Sequence, residues 1–242
     1  LQFVWSLGAS PNRKLRQNAM NNIRFPKDNA DQFVDELIRR LSQDVSNIRD
    51  YVIAVHRLAQ SISDDSRRKL LLWQLQNFPA VLATTRSNQP LHQAQIELVS
   101  QSLVVVRSMK PLAQYQMINP IVEQAETSRY PLVYLRLLSV MRCDLDPAAR
   151  FLRRLFDQTQ STTDRLSVAR ALCRAEGAGG PAEQLFRQII QNPRSSTAEM
   201  RGALLGVNQM GRSAAPLVPE MARSMNSESL AVHHSLCLSA IE

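Results

Sequence analysis

An all-α fold is what this sequence predicts, and three observations carry it. Apolar residues recur at helical spacing along nearly the whole chain, short polar or proline-bearing runs punctuate them, and segments repeat at an interval of 34 residues. Phe33, Val34, Leu37, Ile38 and Leu41 stand at i, i+1, i+4, i+5 and i+8, one face of a helix. Ile48, Tyr51, Val52, Val55 and Leu58 form a second such face directly afterwards, and Leu185, Phe186, Ile189 and Ile190 a third. Residues 10–12, 26–29, 63–65, 87–90, 119–120, 177–181 and 192–196 separate these stretches. They supply Ser, Asp or Asn as N-caps and Gly or Pro as stops. No alternating run is bounded by hairpin residues, so no sheet is expected. Val104, Val105 and Val106 have strand propensity, but they continue the helical pattern that starts at Ile96 and Leu98.

Self-similarity orders these helices. Leu132, Leu166 and Met200 each open a helical stretch 34 residues apart, and Leu98 precedes Leu132 by the same interval. Gly177 and Gly211 repeat the spacing at expected helix ends, where a left-handed cap suits glycine. Ile48 follows Leu15 by 33, whereas about 16 extra residues near Pro79–Pro90 interrupt the step from Ile48 to Leu98. Each unit reads as two helices joined by a turn. One pair cannot bury both apolar faces, so about seven such units must stack.

The segment around Ala215, Pro216 and Pro219, followed by Asn226 to Val232, resembles the proline-bearing first helix, polar turn and second helix of HEAT repeats. Leu15 to Ala19 and Ile48 to Val52 are similar to that family's hydrophobic-Arg-x-x-small opening of the second helix. Gly177, Ala182, Phe186 and Pro193 fall near places expected of tetratricopeptide repeats, the second resemblance, whose usual glycine is replaced by Arg170. The HEAT-like resemblance implies a right-handed α-solenoid of about seven stacked antiparallel helix pairs, a single domain over 1–242 with an irregular insertion near 79–90. A helix-like segment opens abruptly at Leu1 and the sequence finishes at Glu242 within an apolar periodic stretch, so both ends read as cut from a longer chain or processed.

Chemistry-bearing motifs are absent. His56 and His92 stand alone, and the adjacent His233 and His234 point about 100° apart on a helix, too divergent for one site. No H-x-x-x-H, H-E-x-x-H or paired C-x-x-C occurs. The glycine-rich run Glu176 to Gly180 lacks the Lys-Ser/Thr of a nucleotide loop and reads as a helix stop and turn. Asp64 and Asp65, and Asp144 and Asp146, sit at expected helix starts, where they meet free N–H groups and the dipole. No enzyme, cofactor or metal is expected. Cys143, Cys173 and Cys237 read as buried free thiols, which points to a reducing, cytoplasmic setting. No apolar run approaches the ~18 residues of a membrane span.

The remaining signal is charge. The chain carries 29 Lys+Arg against 21 Asp+Glu, a net charge of +8, with 25 Arg and 4 Lys. Residues 1–60 hold nine basic and six acidic groups and 61–120 six and three, so the N-terminal half is the more positive. Arg16, Arg49 and Arg201 follow the residue that opens a second helix; Arg24, Arg57 and Arg107 lie nine places beyond it; Arg136 and Arg170 share a third register. In HEAT-type arrays second helices line the concave face, so the resemblance implies arginine rows along an inner groove. Two readings stand open: pairing with carboxylates such as Asp44, Asp50, Glu199 and Glu228, or an anion-binding groove. The groove would take a protein partner with an acidic segment. The alternative is a nucleic acid, including a role like that of repair glycosylases built on HEAT-like folds, for which the 2 Trp, 4 Tyr and 7 Phe give thin stacking support.

Overall fold

The computed structural model describes residues 10, 12–25, 27–43, 52–83, 93–177, 179–219 and 221. Every regular element among them is helical. They divide into two compact units, Leu1–Cys143 and Asp144–Glu242.

In the first unit Asn12 opens helix α1 (Arg13–Asn22), its Oδ1 accepting the N–H of Lys14 at 3.0 Å. A 3₁₀ segment (Lys27–Gln32) leads into α2 (Phe33–Gln43), which buries Val34, Leu37 and Leu41 on one face as the periodicity predicts. Helix α3 (Val52–Ser61) buries Ala54, Val55, Leu58 and Ala59. Ser63 caps α4 (Asp64–Ala83), accepting the N–H of Ser66, with Asp64 and Asp65 in its first turn. That helix continues through Pro79 into the insertion expected near 79–90; residues 84–92, with the expected break at 87–90, lie outside the described ones. Helix α5 (Gln93–Ser108) contains the valine run as a helix, with Val105 and Val106 fully buried. Proline opens both α6 (Pro111–Gln116) and α8 (Pro131–Ser139), where a missing N–H costs nothing. Helix α7 (Ile118–Thr127) lies between them.

Packing sorts these helices into two rows. In the first row α1 packs on α3, α3 on α5 and α5 on α8. In the second α2 packs on α4, and α4 on α6 and α7; the pairs α4–α5 and α7–α8 join the rows. Polar links between neighbours span about one repeat. Trp73 Nε1 donates to Ser42 Oγ at 2.8 Å, 31 residues away, and the Ser63 N–H to Asp31 Oδ1 at 2.9 Å, 32 away.

In the second unit a 3₁₀ turn (Asp146–Ala148) precedes α9 (Ala149–Gln158), α10 (Thr162–Glu176), α11 (Pro181–Gln191) and α12 (Thr197–Met210). Ser161 caps α10 by accepting the Asp164 N–H. Ser196 and Glu199 form a reciprocal box at the start of α12, the Ser196 N–H donating to Glu199 Oε2 at 2.8 Å and the Glu199 N–H to Ser196 Oγ at 3.3 Å. Each helix packs on the next, and α10 also packs directly on α12. Leu132, Leu166 and Met200 thus fall near the starts of α8, α10 and α12. Gly177 ends α10 at φ +75°, with its N–H on the Cys173 carbonyl at 2.9 Å. Gly211 differs from the expectation: α12 runs directly into a 3₁₀ segment (Gly211–Leu217), and no positive φ is needed there.

Candidate binding face

The predicted arginines separate into three groups. Arg24, Arg107, Arg136 and Arg201 are exposed, Arg57 and Arg170 are half-buried, and Arg49 lies outside the described residues. Arg16 belongs to α1, and its side chain is likewise outside what is described. Arg24 lies two residues beyond α1, Arg57 lies on α3, Arg107 near the end of α5 and Arg136 on α8, so the first unit gathers all four along its first row. Arg170 and Arg201 lie on α10 and α12 of the second unit.

The half-buried arginines serve the fold. Arg57 Nη1 donates to the Ile23 carbonyl at 2.6 Å, reaching back 34 residues to the end of α1. Arg170 Nε donates to Gln209 Oε1 at 3.3 Å on α12, and burial pulls its pKa down. A fifth first-row arginine outside the predicted set is Arg142, whose Nη2 donates to the Arg107 carbonyl at 3.2 Å. Its signal was available: it stands 35 places after Arg107. In both cases a guanidinium meets a carbonyl near a helix C-terminus, where intrahelical donors have run out and the dipole is negative.

Among the carboxylates the sequence offered as partners, Glu199 serves its helix cap through Ser196, while Asp44, Asp50 and Glu228 lie outside the described residues. The ion pairs among the described residues of the first unit sit instead on its second row. Glu36 holds Arg39 and Arg40 at 2.7 and 2.5 Å, Asp64 holds Arg67 at 2.8 Å, Asp65 holds Arg68, and Lys69 reaches from α4 to Asp35 on α2. In the second unit Arg153 grips Glu176 through Nε and Nη2, and Arg187 meets Glu183 at 3.0 Å.

The consequence is a segregation of charge within the first unit. Its described carboxylates lie on the 3₁₀ segment, α2, α4 and α7, with Glu97 on α5 the exception. Its first row carries Lys14, Arg24, Arg57, Arg107, Arg136 and Arg142, and none of these makes an ion pair with a described residue. The second unit mixes both signs on every helix.

Hydrogen bonding from Arg39, reinforced by Arg40, lowers the Glu36 carboxyl to about 2. Because the folded value lies below the ordinary ~4.3 of an unfolded chain, this stabilisation is complete above that pH and disappears as pH falls toward 2. Urea midpoints measured from pH 6 to pH 2 should therefore fall less steeply for Glu36→Gln than for the native chain. Identical slopes would remove Glu36 from the acid response.

Two thiols and one imidazole lie among the described residues, while Cys237, His92, His233 and His234 lie outside them. Burial pushes the Cys173 thiol up to about 11, and Cys143 is half-buried. His56 is exposed and shares a hydrogen bond with Gln60 at 2.8 Å. The Gly179 N–H donates to Glu183 Oε2 at 2.7 Å, so the glycine-rich run forms a helix stop and turn between α10 and α11. Among the described residues no three His, Cys, Asp or Glu side chains stand together to hold a metal ion, and no helix is long and apolar enough to cross a membrane. No protein-family model matches the chain, and neither a curated protein nor a solved structure matches it.

Proposed function

We propose that the chain is a non-catalytic, HEAT-like helical-repeat scaffold, a right-handed α-solenoid of about seven stacked helix pairs, that binds a protein partner through the basic first row of its N-terminal unit. The observation that carries this reading is the segregation of charge: Arg39, Arg40, Arg67, Arg68 and Lys69 of the second row are matched by carboxylates, with Lys110 and Arg129 at its helix ends the exceptions, whereas Arg24, Arg107 and Arg136 are exposed and unmatched by any described one. The two-row packing and the polar links at roughly one-repeat separation support the solenoid. Unmatched surface arginines present planar donor forks suited to carboxylate or phosphate. A nucleic-acid partner would rest on phosphates alone. Tyr115, the exposed aromatic among the described residues, lies on second-row α6, so no described stacking platform accompanies the arginines.

The test compares two variants of equal charge. Arg24, Arg107 and Arg136 are changed together to Glu in one, and Arg129, Arg150 and Arg194, equally exposed, in the other. On an immobilised polyglutamate column the first variant should elute at clearly lower salt than the native chain, and well below the second. Equal elution of the two would assign retention to net charge and refute the basic-row reading.

A further inference from the structure

The bonds of the first row gather four arginines into two pairs, Arg24 with Arg57 at the end of α1 and Arg107 with Arg142 at the end of α5. In the second pair both side chains are exposed, whereas Arg57 in the first is half-buried. Arg142 Nη2 stands 3.2 Å from the carbonyl oxygen of Arg107. A carbonyl oxygen lies about 2.4 Å from its own Cα, so the Arg142 fork begins within about 6 Å of the root of the Arg107 side chain. An arginine side chain spans that distance, and both forks can close on one ligand. Arg142 is also held through its main chain, whose N–H donates to Gln114 Oε1 at 2.6 Å.

Neither member of this pair has a counter-charge among the described residues, and Arg107 makes no described hydrogen bond through its side chain. Asp144, the carboxylate nearest Arg142 in sequence, is exposed and enters no described ion pair. The dipole at a helix C-terminus disfavours an anion, but here the last carbonyls are occupied. That of Arg107 accepts from Arg142, and those of Val106 and Met109 accept from Gln114. A guanidinium has five N–H donors in a fixed plane, and Arg142 spends one in a described bond, so most donors of the pair are left over. A carboxylate carries one charge and is met by one fork. A phosphomonoester carries about −1.5 to −2 at pH 7 and three acceptor oxygens, which two forks match.

We infer, building on the reading above, that Arg107 and Arg142 together bind one phosphomonoester group, carried on a serine or threonine of the partner protein. Arg142 is fixed before the ligand arrives and supplies direction at little entropic cost, and the exposed Arg107 adds the second fork. A nucleic-acid backbone divides its charge among successive diesters and does not concentrate two charges between two forks.

The experiment is fluorescence anisotropy on the full chain with labelled Gly/Ser peptides that carry a central phosphoserine, glutamate or unmodified serine. A DNA duplex of roughly 20 base pairs without terminal phosphates is the fourth probe, all at about 50 mM salt, where exposed pairs are least screened. At about pH 7.5 the phosphopeptide should bind about tenfold tighter than the glutamate peptide, and the serine peptide weakest of the three. Its affinity should fall about fivefold toward pH 5, as the phosphate dianion takes up a proton, while glutamate binding changes little. Arg107→Gln keeps the carbonyl that anchors Arg142 and should bring the phosphopeptide down to the level of the glutamate peptide. Arg136→Gln, which removes an exposed first-row cation outside the pair, should leave it within about twofold. A phosphopeptide that binds no tighter than the glutamate peptide overturns the site, and this comparison needs no variant to fold. Unchanged binding by Arg107→Gln overturns it too, as does an equal loss in Arg136→Gln. Inorganic phosphate that inhibits more tightly than the phosphopeptide binds would assign the site to the free ion, and tighter duplex binding would assign it to nucleic acid; either overturns the phosphopeptide. No binding of any probe overturns the site, whereas the polyglutamate column tests the basic row separately.

Discussion

Replacing Gly206 with alanine should destabilise the second unit by about 2–3 kcal/mol, the range for forcing atoms into a filled core. A Cβ built at this position on α12 would stand 2.3 Å from Phe186 Cζ and 2.7 Å from both Cε atoms. Phe186 on α11 is fully buried, so its ring cannot withdraw without moving its neighbours. The helical preference of alanine over glycine, up to about 1 kcal/mol, works in the opposite direction and is too small to offset the clash. Gly202, one turn earlier, provides the control. There a Cβ would meet Leu166, with Cδ1 at 3.1 Å and Cβ and Cγ at 3.8 Å, a contact that a shift of a few tenths of an ångström in one methyl relieves, so alanine should cost much less than at Gly206. Urea unfolding of the two variants decides the matter, and a Gly206→Ala protein as stable as the native chain would contradict the packing described. Phe186→Leu in the Gly206→Ala background should recover part of the loss, because the shorter side chain vacates the contested volume.

The second large effect is expected at Gln114. This fully buried α6 side chain holds three backbone groups from two other segments: Nε2 donates to the carbonyls of Val106 at 2.8 Å and Met109 at 3.2 Å, and Oε1 accepts the Arg142 N–H at 2.6 Å. Gln114→Leu fills similar space but leaves those groups without their partner, at about 1–3 kcal/mol for each one that water cannot reach. A total loss near 3 kcal/mol is expected in urea unfolding, together with faster hydrogen exchange of the Arg142 amide. Gln114→Glu should not rescue it, since a carboxylate can accept from Arg142 but cannot donate to the two carbonyls. Wild-type stability in Gln114→Leu would mean that these bonds contribute nothing.

These two positions show where reading the sequence succeeds and where it stops. Helix identity was legible at Val34, Leu37 and Leu41 because periodicity is a local property, and Ser63 preceding two aspartates marks a cap for the same reason. The spacing that collected Arg24, Arg57 and Arg107 is legible too, and these residues lie just beyond α1, in the latter half of α3 and next to the last residue of α5. Whether an arginine is anchored or free depends on which carbonyl or carboxylate lies across the next helix. Arg57 and Arg107 share a register in the sequence, yet one reaches a carbonyl at helix α1 and the other is exposed. Gln114 gave no signal because its type is common on surfaces, and only the convergence of α5, α6 and the segment after α8 makes it a clasp. Glu199 looked like an arginine partner by charge and proved to be a cap, because Ser196 lies three residues away.

The bonds from Arg57 and Arg142 carry a consequence for how such a chain tolerates change over generations. Their acceptors are main-chain oxygens, which every amino acid supplies. Substitution at position 107 leaves the partner of Arg142 in place, whereas an ion pair would be lost by mutation of either member. The link between neighbouring helices of the row is therefore exposed to mutation at one codon where a salt bridge would be exposed at two. The side chain at position 107 can change without removing the bond that ties the end of α5 to the segment after α8.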